Sequence, residues 1–144
     1  MKVLWCLLAL CYCFSLAGGT DMTLERRKLV EVLQQLGEVQ DSLQHRELLV
    51  NTPPRNIEDC CCLSALRCFR ANLQVQFNVT ERKQEKFYRS LKHPITERGL
   101  DFCRSGKAVP NCKTCESHPK ENAQEFVNRL RSLIQRAISR LSQN

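Results

Sequence analysis

Apolar residues recur along most of this chain with the spacing of amphipathic helices. From Asp21 to about Gln44 they follow an i, i+3, i+4, i+7 pattern, which predicts a first helix capped by Thr20 or Asp21. Gly37 interrupts it at a cost of about 1 kcal/mol. It either lets a neighbouring helix approach closely or is simply tolerated, and we favour tolerance. The apolar positions are Leu29, Val32, Leu33, Leu36, Val39 and Leu43.

A second helix is predicted from about Ile57 to Leu73, because two prolines, Pro53 and Pro54, stop any helix before it. Asn56 is its candidate N-cap. Beyond it, Asn78-Val79-Thr80 is an N-glycosylation sequon, which implies exposure of Asn78 if it is used, and the sequence leaves its occupancy open.

The middle of the chain is less regular, and the end is the clearest helix. A weaker third helix is predicted over Glu81–Lys92, ended by Pro94 and Gly99, and His93–His118 reads as a long irregular stretch. Pro119 or Asn122 starts the last helix. Its apolar positions are Phe126, Val127, Leu130, Leu133, Ile134, Ala137, Ile138 and Leu141. Four amphipathic helices without alternating strand patterns predict an all-α four-helix bundle.

The first residues have a different pattern. Lys2 precedes an apolar run from Val3 to Ala17, and small residues follow at the spacing of a cleavage site. This predicts a secretory signal peptide over residues 1–19 and one domain over residues 20–144. The run is short for a membrane anchor, so we expect secretion to the extracellular space without membrane insertion.

Charge and composition narrow the function classes. The chain has 144 residues, with 22 Lys and Arg against 15 Asp and Glu. The stretch Arg82–Lys92 is densely basic and could bind an acidic partner, heparan sulfate or nucleic acid, or be only a solvated face. Secretion disfavours nucleic acid, so no nucleic-acid partner is predicted.

Ten cysteines are present, and Cys6, Cys11 and Cys13 lie in the predicted signal peptide. Seven remain, so one is left over from pairing. Cys61 and Cys68 are two helical turns apart, about 10.5 Å, which is too far to bond each other. We favour two parallel disulfides, Cys61–Cys112 and Cys68–Cys115. Cys103 could pair with Cys60 or Cys62, and the spacing does not choose.

Catalytic and metal chemistry has weaker support. Cys112-Lys113-Thr114-Cys115 could be a zinc half-site or a redox motif, but no second half-site and no preceding strand is predicted. The alternative to a binding protein is a small basic secreted ribonuclease, which would need two of His45, His93 and His118 to converge with a lysine. No local motif arranges them, so we predict no enzyme, no cofactor and no metal.

Several segments resemble the interleukin-21 family of short-chain cytokines that use the common gamma chain. Arg27–Leu36 is similar to its first helix. Cys61–Phe69, which contains two cysteines seven residues apart and an internal Ser-Ala, is similar to its second helix. Cys112–Phe126 and Arg131–Arg136 are similar to its fourth helix and the segment before it. The interleukin-15 and interleukin-2 families are the nearest alternatives, and interleukin-15 shares the cysteine frame. Three extra cysteines depart from the pattern: Cys60, Cys62 and Cys103.

The resemblance implies a short-chain bundle with up-up-down-down topology. It also implies a monomeric cytokine that bridges a private type I cytokine receptor and the common cytokine receptor gamma chain, which brings Janus kinases together and triggers STAT signalling in lymphocytes. The topology is feasible, because the 12 residues of His45–Asn56 reach about 40 Å when extended and a 22-residue helix spans about 33 Å.

The resemblance also implies two receptor-binding sets. For the private receptor they are Arg27, Lys28, Val30, Glu31, Gln34 and Gln35 in the first helix and, more loosely, Arg82, Lys83 and Lys86 in the third. For the gamma chain they are Gln135 and Ile138. Most of the first-helix set lies off the apolar stripe. Gln135 is about 200° around the helix from Leu133, which predicts exposure, and Ile138 shares its face. We interpret that pair as a receptor contact in preference to an edge of the core.

Overall fold

A computed structural model describes residues 23–103 and 111–142. These residues form five α-helices: α1 (Leu24–Gln44), α2 (Cys62–Val75), α3 (Arg82–Lys92), α4 (Pro94–Leu100) and α5 (Ala123–Ser142). The predicted signal peptide, its cleavage site and the capping residues Thr20 and Asp21 lie outside the described residues. Thr23 caps α1, because its hydroxyl accepts a hydrogen bond from the backbone N–H of Arg26 at 3.1 Å.

Contacts between helix ends give the direction of each helix. Arg26 at the start of α1 donates to Ser142 at the end of α5 at 2.6 Å, and Asp59, just before α2, pairs with Arg140 near the same end. Both α1 and α2 therefore run antiparallel to α5. Gln84 at the start of α3 donates to the Ser42 hydroxyl near the end of α1 at 2.9 Å, so α3 runs opposite to α1. The fold is the predicted all-α, short-chain, up-up-down-down four-helix bundle.

The third position of the bundle is built from α3 and α4 together. His93 between them is extended, and its Nδ1 accepts a hydrogen bond from the backbone N–H of Ile95 at 3.1 Å. Pro94 occupies the first turn of α4, where its missing N–H costs nothing. The expectation of an irregular stretch over His93–His118 is therefore wrong at its start, since the proline that ends α3 also begins α4.

Two other boundaries differ from the sequence analysis. A 3₁₀ turn, Asp59–Cys61, precedes α2, so the helix begins at Cys62 and Asn56 is not its N-cap. Two short strands, β1 (Leu49–Asn51) and β2 (Lys120–Asn122), pair antiparallel with Val50 opposite Glu121. Three residues are too few to show the alternation of apolar and polar positions that marks a strand, so the sequence does not predict these two strands.

The core is formed by the apolar faces of the helices. All the predicted apolar positions of α1 are buried except Leu33, which packs at the edge. The ring of Phe126 on α5 lies 5.1 Å from the ring of Phe69 on α2 and 4.9 Å from that of Phe77, measured between centroids. Aromatic contacts of this kind join α2, the turn after it and α5 at the centre of the bundle.

Three disulfides tie the bundle together. Cys61 bonds Cys112 and Cys68 bonds Cys115, the two pairs favoured above, with Cα–Cα distances of 5.6 and 5.2 Å. Cys60 bonds Cys103, and among the cysteines of residues 23–103 and 111–142 this leaves Cys62 as a buried free thiol. Burial raises the pKa of the Cys62 thiol above its usual range, so it stays protonated at neutral pH.

Two glycines within helices have opposite surroundings. Gly37 on α1 is exposed, and a Cβ placed there would meet nothing within 4 Å, in line with its being tolerated. Gly99 on α4 is buried, and a Cβ there would lie 2.8 Å from Cδ1 of Leu29, which is itself fully buried. The close approach of α4 to α1 thus depends on Gly99 having no side chain.

Gly99→Ala and Gly37→Ala form a matched pair. Both substitutions gain up to about 1 kcal/mol of helix propensity. Only Gly99→Ala must displace a packed leucine, an overpacking that costs about 1–3 kcal/mol. We expect the free energy of unfolding, measured by urea denaturation, to be at least about 1 kcal/mol lower for Gly99→Ala than for Gly37→Ala. Equal stabilisation of the two variants would contradict the close approach.

Candidate functional site

The outer face of α1 carries part of the first predicted set. Arg27, Glu31 and Gln34 are exposed and lie at i, i+4 and i+7, so they share one face of the helix. Lys28 and Val30 are half-buried beside them, and the ammonium of Lys28 lies 3.5 Å from the carboxylate of Glu31. These five side chains form a continuous, mostly polar strip, here called the α1 strip.

Gln35 does not belong to the α1 strip, and the expectation that it lies off the buried stripe is wrong. It is only 7% exposed, because it follows Val32 by three residues and precedes Val39 by four and so turns with them toward the core. Its Nε2 lies 3.4 Å from the Glu31 carboxylate, and its buried Oε1 has no hydrogen-bond partner in the described residues. The spacing to both valines is the sequence signal that would have placed it correctly.

The third helix, α3, carries the basic part of the first predicted set. Arg82, Lys83 and Lys86 are exposed, and none makes an ion pair with any residue that the structure describes. The helix is fixed against α1 by its opposite side, where buried Gln84 bonds Ser42. The structure therefore places the start of α3 beside the end of α1 near Ser42, about 12 Å along the helix from Gln34, the nearest residue of the α1 strip.

The second predicted set divides on α5. Gln135 is exposed, as its position around the helix predicts. Ile138 is half-buried and packs against the core, so it is less exposed than its place beside Gln135 predicts, and its role as a receptor contact stays a prediction. It follows buried Ile134 by four residues, which turns it toward the bundle. Gln135 thus stands at the surface with Ile138 at the boundary of the core.

An ion-pair cluster that the sequence analysis missed holds the helix around Gln135. Asp59 accepts hydrogen bonds from both Arg136 and Arg140, and Arg136 also donates to the backbone carbonyl of Ile57 at 2.7 Å. Desolvation alone would raise the pKa of the Asp59 carboxyl, but the two guanidinium groups outweigh it and hold that pKa below its usual range. The cluster fixes the segment before α2 against the last turns of α5.

The three histidines have separate structural places. His45 follows the end of α1, His93 caps α4, and His118 is buried beside the Cys61–Cys112 disulfide. Burial, with Lys113 nearby, lowers the pKa of His118. A pocket of about 710 Å³ between the end of α1 and the start of α5 includes His45 but neither of the others. Within residues 23–103 and 111–142, no three His, Cys, Asp or Glu side chains are grouped to hold a metal, and no helix could cross a membrane.

A protein-family model described as Interleukin 15 matches residues 7–139 of the chain. The chain belongs to the interleukin-15 family. Members of this family are secreted cytokines, signalling ligands that bind cytokine receptors including the common gamma chain, and they are not enzymes. Membership of this family excludes the ribonuclease alternative. The disulfide-linked four-helix bundle described above is the fold of the family. The match supports the cytokine family and not interleukin-21 in particular.

Gln35 and its neighbour Gln34 provide a test of what holds α1. Gln35→Met removes a buried amide oxygen without a partner, a group whose desolvation costs about 1–3 kcal/mol. We expect the free energy of unfolding to rise by about 1 kcal/mol. Gln34→Met, on the exposed side of the same helix, should change it by less than about 0.5 kcal/mol. Chemical denaturation measures both, and a loss of stability in Gln35→Met would show that the amide has a partner.

Proposed function

We propose that the chain is a secreted, monomeric cytokine of the interleukin-21 type, which bridges a private type I cytokine receptor and the common gamma chain and so triggers Janus kinase and STAT signalling in lymphocytes. The observation that carries this proposal is the family match over residues 7–139. The likeness of Arg27–Leu36 to the first helix of interleukin-21 supports the narrower type. In this mechanism the chain catalyses no reaction, because binding two receptors to one ligand is enough to bring their kinases together.

The private-receptor surface that we propose combines the α1 strip with the basic side chains of α3. An interface of standard size buries about 800 Å² on each partner, which is more than a single helix face usually offers. Two adjacent helices supply it here. The exposed cations Arg82, Lys83 and Lys86 would attract an acidic receptor surface over a distance and raise the association rate more than the final affinity.

The gamma-chain surface that we propose lies around Gln135 on α5. Ile138 is half-buried, so part of its side chain packs in the core and the exposed part would contact the receptor. The cluster of Asp59, Arg136 and Arg140 keeps this part of α5 rigid, which lowers the cost of ordering the surface on binding. Because α5 and α3 are different positions of the bundle, the two receptors would approach separate faces.

A charge-matched pair of variants tests the basic surface. Lys83→Gln with Lys86→Gln should slow association with the soluble ectodomain of the private receptor by about threefold or more at low ionic strength. The slowing should be smaller at high salt, because charges are screened beyond about 3 Å at 1 M. Lys113→Gln with Lys120→Gln removes the same charge from the segment before α5, where both lysines are exposed. Stopped-flow fluorescence measures both rates. Equal slowing by the two pairs would mean that net charge, and not this surface, steers the receptor.

Gln135→Asp tests the α5 surface. The added carboxylate would be buried without a partner in the complex, so we expect gamma-chain binding to weaken by about 30-fold, the effect of a 2 kcal/mol interface residue. Private-receptor binding and helical content should stay unchanged. Gln124→Asp, also exposed on α5 and about 16 Å away along the helix, is the control. Ile138 is left intact, because its packing against the core would confuse binding with stability.

Surface plasmon resonance with each receptor ectodomain separates the possible outcomes. Binding to the private receptors of interleukin-21, interleukin-15 and interleukin-2 in turn decides the type. No binding to the gamma chain by the unmodified protein would overturn the proposed function. Unchanged gamma-chain binding by Gln135→Asp would overturn only the assigned surface.

A further inference from the structure

The turn between α2 and α3 presents the sequon at the surface. Asn78 is exposed and has a φ of 51°, a left-handed conformation that asparagine adopts more readily than most residues. The residue after it is fixed: Val79 packs against the core, and its N–H donates to the carbonyl of Leu73 at 3.3 Å. Thr80 is exposed. Val79 thus anchors the turn to the core, while the side chain of Asn78, to which a glycan would be attached, stays accessible.

A shallow pocket adjoins this turn. It has a volume of about 240 Å³ and is lined by Gln74, Val79, Glu85, Tyr88 and Arg89. The Tyr88 hydroxyl donates to the side-chain oxygen of Gln74 at 2.7 Å, which fixes the ring at the pocket wall. An aromatic ring beside amide, carboxylate and guanidinium groups suits a sugar, which has both apolar C–H faces and hydroxyl groups.

We propose that Asn78 carries an N-linked oligosaccharide whose first sugars lie beside this pocket, and that this glycan limits access of the private receptor to the start of α3. Arg82 and Lys83 follow Asn78 by four and five residues, so a bulky group at the turn stands next to the cations that would attract the receptor. The site assignment rests on the proposed secretion, and the effect on access rests on the proposed receptor.

The modification is a group transfer with a defined donor. Nδ2 of Asn78 attacks the anomeric carbon of an oligosaccharide linked to a polyprenyl pyrophosphate. The new C–N bond replaces the C–O bond to the pyrophosphate, the lipid pyrophosphate leaves, and the amide loses one proton. Thr80 completes the sequon that the transferase of the secretory pathway recognises.

Thr80 offers a cleaner test than Asn78, because most replacements of Asn78 would be strained at positive φ. Thr80→Ser preserves the sequon and Thr80→Ala destroys it, and both keep Asn78 in place. Each protein is secreted from cultured animal cells and treated with peptide N-glycosidase. We expect faster electrophoretic migration after treatment for the unmodified chain and for Thr80→Ser, and no change for Thr80→Ala. Thr80→Ala should also associate with the private-receptor ectodomain about threefold faster or more.

The outcomes are distinguishable. Secreted, unmodified protein whose migration does not change on treatment overturns the glycan assignment. A change in migration with equal association rates for Thr80→Ser and Thr80→Ala overturns the effect on access. If no form binds any private receptor, the proposed function and the access effect fall together, while the migration assay still decides the modification by itself.

Discussion

The two parallel disulfides between α2 and the segment before α5 are the constraint on which the rest of this fold depends. An up-up-down-down bundle needs long connections, and these must be held or their entropy opposes folding. Cys61–Cys112 and Cys68–Cys115 join residues that are 51 and 47 positions apart. In the chain-entropy model the first disulfide to close is worth roughly 4 kcal/mol, and the second adds less because it then closes a much shorter loop. Asn72 extends the constraint, because its amide donates to the carbonyl of Asn51 in β1 at 2.9 Å. Both long connections are thereby fixed to α2.

With the connections fixed, charge is distributed unevenly over the bundle. Some arginines that face other elements are paired with acidic side chains: Arg70 lies 2.6 Å from the carboxylate of Glu97, and Arg140 lies 2.6 Å from that of Asp59. The hydrogen bond from Arg70 also holds the pKa of Glu97 below its usual range. On α3, Arg82, Lys83 and Lys86 make no ion pair with the part of the chain that the structure describes. Ion pairs thus join neighbouring elements at these two places, whereas the cations of α3 that we propose as part of a receptor surface are left available to a partner.

The sequence predicted the elements whose signal is periodic and missed those decided by single contacts. The buried positions of α1 and α5 were foreseeable, because burial follows their spacing. The start of α4 was not, since Pro94 reads equally as an end or a beginning until the His93 side chain is seen to cap Ile95. The Cys60–Cys103 pair was likewise open, because Cys60 and Cys62 lie only two residues apart and their spacing from Cys103 does not choose between them. The structure separates them, since Cys60 lies in the 3₁₀ turn and Cys62 begins α2.

Within the candidate surfaces, neighbouring residues of the same type can differ in exposure. Gln34 and Gln35 are adjacent and chemically identical, yet one is exposed and the other is 7% exposed, because a step along α1 rotates the side chain by 100°. A resemblance to a family carries residue types across but not this rotation, and the rotation decides which residue a partner can reach. Ile138 is the corresponding case on α5, where the same side chain that packs on the core borders exposed Gln135. Surface assignments in this bundle therefore depend on side-chain exposure first and on likeness second.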